Sequence, residues 1–232
     1  MTIIKQLIAI ALLLTATLDV SDREAVATFA AKVHAKVPAL DVLINNAGVG
    51  SAGTLWETPL DEWERVLAIN LRGVLYGCHA FVPNMISAGR GQVVNLSSLL
   101  GYFGAPGVSA YVASKFAVLG LSESLRAELK PHGVGVTTIC PGMINTAIVR
   151  EGRFCGLAEG ERDRIAETFA TRGARPERVA KAIVRAVRRN RGLVTVTPEA
   201  WALRALKRLS PGLCAWLSGR VTQRLAGTSV SS

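Results

Sequence analysis

The chain has 232 residues, half of them hydrophobic, and a formal net charge of +10. A chain of this length and apolar content can bury one sizeable core, so we expect one domain. Its four cysteines are scattered, and only the adjacent Cys78 and His79 come near ligand spacing, with poor geometry. The sequence therefore argues against a metal site and indicates reduced thiols.

The positive charge is unevenly distributed. Residues 1–147 carry 10 basic and 10 acidic side chains, whereas residues 148–232 carry 17 basic and 7 acidic ones. No nucleic-acid reading motif and no interleaved aromatic platform accompanies this excess, so we expect no nucleic-acid partner.

The N-terminal segment 1–17 is apolar and permits two interpretations. In the first, it is a short membrane-directing stretch, with Lys5 as a minimal charged region before the apolar run 7–14. This run is too short to predict a membrane span with certainty, because a span needs about twenty apolar residues. In the second, residues 12–19 form a buried strand that covers the edge of the sheet beside residues 41–45.

Downstream, short apolar runs alternate with helical stretches. The runs, typical of strands buried on both faces, are 42–44, 93–96, 136–139 and 193–196. The predicted helices are 21–36, 59–87, 110–131 and 176–190. This alternation predicts an α/β fold with a parallel sheet and right-handed crossovers.

One pair of side chains suggests a chemistry. Tyr111 and Lys115 are four residues apart on a predicted helix and therefore project from the same face. An ammonium about 4 Å from a phenol, at an effective dielectric near 20, would lower the phenol's pKa by about three units. Tyr111 could then exchange a proton near neutral pH, while Ser98, at the end of a predicted strand, holds a substrate oxygen.

Several separated motifs resemble the short-chain dehydrogenase/reductase family over residues 18–197. The chain contains an Asn-Asn-Ala-Gly strand end at 45–48, a helix asparagine at Asn70, and a Pro-Gly turn at 141–146. Ser98, Tyr111 and Lys115 occupy the matching catalytic positions between them. Residues 18–21 resemble the strand end that meets the adenine ring.

The resemblance implies roles for individual residues. Tyr111 is then the general acid/base, Ser98 orients the substrate oxygen, Lys115 lowers the pKa of Tyr111 and holds the nicotinamide ribose, and Asn70 supports a proton path to Lys115. The implied cofactor-binding residues are Asp19, Val20, Asn46, Ala47, Gly48, Tyr111, Lys115, Pro141, Gly142, Ile144 and Thr146.

The resemblance implies NAD or NADP as cofactor but leaves the choice between them open. Eighteen residues precede Asp19, and none is glycine, so no Gly-rich phosphate loop is found there. We therefore expect a Rossmann-like three-layer sandwich that lacks its first β-α-β unit and has reduced cofactor affinity.

Two functional hypotheses follow. The first is an NAD(P)(H)-dependent oxidoreductase that interconverts a secondary alcohol and a ketone on a lipophilic substrate. Tyr102 and Phe103 beside Ser98, and the lid segment 144–175 implied by the resemblance, favour such a substrate. The second is a truncated remnant that cannot hold dinucleotide and acts, if at all, through dimerisation or membrane-surface association.

The predicted organisation has three parts: the apolar segment 1–17, a Rossmann domain at 18–198, and a basic amphipathic extension at 199–232. The extension could rest on an anionic membrane, meet a phosphate-bearing substrate, or pack as an ordinary helix. The resemblance implies a homodimer or homotetramer formed through the two long helices. We expect a cytoplasmic protein or, alternatively, one associated with a membrane through its N-terminus.

Overall fold

The computed structural model describes residues 14–156 and 160–218. Its main sheet has four parallel strands in the order β1-β3-β4-β6. These strands are β1 (Val42–Asn45), β3 (Gly91–Leu96), β4 (Val134–Cys140) and β6 (Leu193–Thr195). A separate parallel pair joins β2 (Ser51–Ala52) to β5 (Arg153–Phe154). The predicted parallel α/β architecture is confirmed.

Helices lie close to the predicted positions 21–36, 59–87, 110–131 and 176–190, and a further helix lies in the segment 144–175, where none was predicted. The helices are α1 (Arg23–His34), α2 (Leu60–Leu67), α3 (Gly73–Ser87), α4 (Ser109–Leu129), α5 (Glu161–Arg172), α6 (Pro176–Arg188) and α7 (Pro198–Leu209). Asp22 caps α1 by accepting hydrogen bonds from the amides of Glu24 and Ala25. Short 3-10 turns occupy Leu99–Gly101 and Lys130–His132.

The sheet buries both faces, because successive strand residues point to opposite sides. On one face, Leu43 and Val93 pack with α1, α3 and α4 in the larger core cluster. On the other face, Val42, Val94 and Ile139 pack against α6. The result is the three-layer sandwich predicted from the nearly continuous apolar strands.

The predicted helix 59–87 is interrupted at its centre. Between α2 and α3, the segment Ala68–Arg72 forms a π-helix rather than a regular α-helical turn. Insertions of this kind occur frequently at functional sites because they redirect a side chain. The whole stretch Leu60–Ser87 is long and apolar enough to cross a membrane by length and composition. Its apolar residues nevertheless include Phe81 and Met85 of the core.

The predicted strand 12–19 is wrong over the residues that the structure describes. Residues 14–19 form no strand, and only the preceding part, 12–13, lies outside the described range. The side chains at 15–17 are exposed, whereas a strand covered on both faces would bury them; Leu14 alone packs on the core. No described strand pairs with the outer edge of β1, where Ile44 is 43% exposed.

The C-terminal region packs on the sheet domain as far as it is described. Ala200 in α7 is buried, and the Tyr102 hydroxyl donates a 2.8 Å hydrogen bond to its carbonyl oxygen. Residues 211–218 are also helical, and the Ser218 hydroxyl donates to the Gly104 carbonyl. The buried Tyr102 therefore connects the turn after β3 to α7 and does not form the pocket wall expected from the sequence.

Candidate active site

The candidate site forms where β3 and β4 end. Parallel strands bring their carboxyl ends to one edge of the sheet, which is where α/β proteins bind ligands. Ser98 lies two residues after the end of β3 in an extended conformation, and its hydroxyl accepts a hydrogen bond from the Leu100 amide. The next amide, of Leu99, donates a 2.7 Å bond to the carbonyl of Pro141, which follows β4. This bond holds the two strand ends together.

Helix α4 brings Tyr111 and Lys115 to this edge. The Tyr111 phenol lies close enough to the Ser98 hydroxyl for that group to influence its pKa. The Lys115 Nζ lies 5.6 Å from the centroid of the Tyr111 ring and donates a 3.0 Å bond to the carbonyl oxygen of Leu96. The structure thus brings together three residues that the sequence separates by up to seventeen positions.

The ionisation of the pair differs from the expectation. Burial raises the pKa of the Tyr111 phenol, and the nearby Ser98 hydroxyl opposes the rise without cancelling it. Burial lowers the pKa of Lys115 to about 8. The expected lowering of the Tyr111 pKa by Lys115 is therefore wrong for this arrangement, because the low-dielectric surroundings penalise both charged forms.

Asn70 lies in the π-helix and is fully buried. Its Oδ1 accepts a 2.8 Å hydrogen bond from the Val49 amide, and its Nδ2 donates to the Val49 carbonyl and to the Ser114 hydroxyl. Asn70 therefore fixes the loop after β1 and connects it to α4. The extra residue in the π-helical turn changes the direction in which the Asn70 side chain points, so that it faces the loop.

The exposed loop Asn46–Gly48 lies next to Asn70 and Lys115. A Cβ atom at Gly48 would stand 3.3 Å from Asn70 Oδ1 and 3.5 Å from Lys115 Nζ. Glycine at this position therefore lets the loop backbone pack closely on these two buried polar atoms. Asn46 and Ala47 are exposed along the same loop.

Two other predicted binding residues, Asp19 and Val20, lie in the segment just before α1. Asp19 is exposed and accepts hydrogen bonds from the amide and hydroxyl of Ser21, which lower its pKa. The Val20 side chain packs against Gly73, where an added Cβ would come within 2.9 Å of it. Asp19 and Val20 thus flank the start of α3.

The Pro-Gly turn after β4 is tied to two later elements. The carboxylate of Glu199 in α7 accepts a 3.0 Å hydrogen bond from the Met143 amide. Ile144 pairs with Ala174 through a parallel bridge just before α6. Of the predicted turn residues, Ile144 is buried and Thr146 is exposed.

Two residues of this region have no predicted role. Ser114 lies inside the Tyr-x-x-x-Lys step and links Asn70 to the Tyr111 carbonyl, so its position was a usable signal. Glu199 lies more than fifty residues after Met143, and no local pattern connects them. Cys140 also adjoins the cluster, and burial raises its pKa to about 12, so it is a neutral thiol.

The fold and this cluster define a class: Rossmann-like proteins with a Tyr-x-x-x-Lys step beside a serine at the strand ends. The sequence signature of the family described as short chain dehydrogenase matches residues 2–153, about two thirds of the chain. The chain belongs to the short-chain dehydrogenase family.

Two relatives show the extent of the similarity. The chain is 44% identical over 201 residues to "Probable oxidoreductase EphD" of Mycobacterium tuberculosis, covering 84% of this chain and 34% of EphD. It is 39% identical over 145 residues to a 3-alpha-(or 20-beta)-hydroxysteroid dehydrogenase of the same species, covering 62% of this chain and 52% of the relative. The chain thus spans about a third of EphD and half of the steroid enzyme.

Solved structures agree with the fold. A short chain dehydrogenase/reductase from Burkholderia phymatum in complex with NAD is 27% identical to this chain and superposes with a TM-score of 0.76. The match covers 86% of this chain and 76% of the Burkholderia chain. A metagenomic short-chain oxidoreductase in complex with NADP is 31% identical, with a TM-score of 0.60 and coverages of 78% and 73%.

Proposed function

We propose that this chain carries the active site of an NAD(P)(H)-dependent oxidoreductase that interconverts a secondary alcohol and a ketone. The observation that carries the proposal is the cluster of Ser98, Tyr111, Lys115 and Asn70 at the carboxyl ends of the strands. A dinucleotide, when bound, supplies or accepts the hydride. Gly48, with Asn46 and Ala47, would border its ribose.

Tyr111 exchanges the proton in this proposal. A substrate oxygen placed between Ser98 and Tyr111 would accept hydrogen bonds from both hydroxyl groups. The raised pKa of Tyr111 keeps the phenol protonated, which suits proton donation to a ketone oxygen. In the oxidation direction the phenolate must be stabilised, and a protonated Lys115, whose Nζ lies 5.6 Å from the ring centroid, would supply a positive charge beside it.

The proposed substrate is lipophilic. The similarity to a hydroxysteroid dehydrogenase supports this class, because that relative is named for a lipophilic alcohol substrate. The partly buried Phe103 and Phe154 lie in the two segments expected to border the site, the turn after β3 and the lid after β4. A hydroxysteroid and a long-chain secondary alcohol are therefore the first substrates to test, each with NAD and with NADP.

A matched pair of tyrosine variants tests the catalytic role. Tyr111→Phe removes the hydroxyl, whereas Tyr76→Phe makes the same change on α3, outside the cluster. We expect Tyr111→Phe to lower kcat by about a hundredfold or more, and Tyr76→Phe to leave it unchanged. Turnover is followed by nicotinamide absorbance, and thermal unfolding confirms that both variants fold. Equal kcat for Tyr111→Phe and the wild-type chain would refute the proposal.

Titration of nicotinamide fluorescence separates the enzyme from a remnant that cannot hold dinucleotide. Saturation at micromolar NADH or NADPH supports the enzyme. A signal that does not saturate at millimolar concentrations supports the remnant, whatever the positions of Ser98 and Tyr111.

We also propose self-association through α3 and α4. Leu75 on α3 is 45% exposed and Phe116 on α4 is 40% exposed, so each long helix presents an apolar side chain to solvent. Leu67 and Leu71, which precede Leu75 at four-residue spacing, are partly buried. Light scattering should show a dimer or tetramer that Phe116→Asp dissociates, whereas a wild-type monomer would refute this assembly.

A further inference from the structure

The positive charge of the chain is concentrated around α6. Residues 175–191 contain six arginines and one lysine against a single glutamate, a net charge of +6 out of the chain's +10. This segment of seventeen residues forms α6 and the turn into β6. Such a density of like charge raises the local potential and attracts anions.

Four of these arginines line one cavity. A concave site of about 310 Å³ lies between α6 and β6, and its lining includes Arg178, Arg185, Arg189 and Arg191. Spacings of seven and eleven residues are close to whole turns of a helix with about 3.6 residues per turn. Arg178, Arg185 and Arg189 therefore form one stripe along the helix.

Small residues make the site concave. Ala182 and Ala186 lie between the arginines on the same side of α6, and Val194 and Val196 form the facing wall. The rise of about 1.5 Å per residue puts Arg178 and Arg185 about 10 Å apart along the axis. The charges are thus spread along a groove and do not converge on one point.

The groove has no acidic side chain in its lining. The ion pairs between described residues use Arg65, Arg90 and Arg153, all outside the groove. Among the groove arginines, Arg178 lies near an acid in the described part of the chain: its charge helps lower the pKa of Glu199. Most of the positive charge is therefore available to a ligand.

The side-chain chemistry selects the class of ligand. All four cations in the lining are arginines, whose planar guanidinium forks match phosphate oxygens in pairs. No aromatic ring lines the groove, so the base stacking used by single-stranded nucleic acids has no platform. A volume of about 310 Å³ suits a small molecule, and the spread of charge suits more than one phosphate.

We propose that the groove between α6 and β6 binds a small ligand that carries two or more phosphate groups. The site is distinct from the candidate active site, because neither Ser98, Tyr111, Lys115 nor Asn70 contributes to its lining. The ligand lies along α6, with its phosphates paired to successive arginines of the stripe.

Calorimetric titration of the whole chain tests the proposal, with tripolyphosphate and orthophosphate as probes. We expect saturable binding of one tripolyphosphate per chain, at least tenfold tighter than orthophosphate. The double variant Arg185→Gln/Arg189→Gln should bind at least tenfold more weakly. The control Arg162→Gln/Arg164→Gln on α5 removes the same charge from exposed positions outside the groove and should bind like the wild type.

Three outcomes would overturn the proposal. Equal losses in the two double variants would show that only net charge matters. Absence of saturable tripolyphosphate binding by the folded wild-type chain, with folding checked by circular dichroism, would remove the site. Displacement of tripolyphosphate by a short DNA duplex, through the same arginines and with higher affinity, would assign the groove to a nucleic-acid backbone.

Discussion

Replacing Lys115 by methionine should stabilise the fold while it removes a site residue. The side chain is 4% exposed, and none of the ion pairs among the described residues includes it. Its recorded hydrogen bond goes to the Leu96 carbonyl. A methionine of similar length fills the same space without a buried charge.

The pKa of Lys115 gives the magnitude. Burial lowers it from 10.5 to about 8, which corresponds to about 3 kcal/mol of lost stability while the group is charged. Loss of the hydrogen bond to the Leu96 carbonyl destabilises the variant by about 1 kcal/mol. Lys115→Met should therefore raise the free energy of unfolding by about 2 kcal/mol near neutral pH, or Tm by about 6 °C.

The pH dependence distinguishes this cause from better packing. Between about pH 8 and 10.5 the unfolded chain holds a proton on Lys115 that the folded chain has released. The contribution of Lys115 to wild-type stability therefore rises with pH across that window. The difference in free energy of unfolding between Lys115→Met and the wild type should therefore disappear over the same pH window.

Urea unfolding of both proteins, repeated across this pH range, measures this difference. Lys130→Met is the control, because Lys130 is exposed and its replacement should change stability little at any pH. A Lys115→Met protein less stable than the wild type near neutral pH, or a difference that does not depend on pH, would refute the reasoning.

Three further predictions concern the core, a buried ion pair and the Pro-Gly turn. Met85→Ala should lower the free energy of unfolding by about 3 kcal/mol in chemical denaturation, because Met85 is fully buried. Glu62→Gln should lower the free energy of unfolding by about 1 kcal/mol, because it weakens the bidentate pair with Arg65. Burial opposes ionisation of Glu62, but Arg65 and Arg153 outweigh it and lower the pKa of the carboxyl group. The difference in stability between variant and wild type should therefore vanish as pH falls through the lowered pKa. Glu199→Ala should weaken NADH binding in a fluorescence titration with little change in Tm, since it releases the Met143 amide; unchanged affinity would contradict this role.

Much of the architecture follows from local patterns. Strands such as Val134–Cys140 are apolar nearly throughout, which is the signature of burial on both faces. Strand and helix alternate, and this order restricts the sheet to parallel pairing. Local patterns failed where a tertiary contact decided the outcome: residues 14–19 had the composition of a strand but do not pair with β1.

The interruption of the second helical region shows the same limit. An apolar stretch such as 59–87 predicts one continuous helix, because composition does not register a single extra residue in a turn. The π-helix at Ala68–Arg72 is stabilised by what Asn70 contacts, namely the Val49 backbone and Ser114 on another helix. These partners are more than twenty residues away and become neighbours only in the folded chain.

The sequence by itself determined the family, the parallel α/β class and the placement of Tyr111 and Lys115 on one helix face, because each depends on short-range spacing. Only the tertiary structure decided that Ser98 meets Tyr111 and that Glu199 holds the Pro-Gly turn. It also decided that burial raises the pKa of Tyr111 and lowers that of Lys115, so that both groups favour their neutral forms. Burial and long-range hydrogen bonds depend on which segments pack together, and that information is absent from any local stretch of the chain.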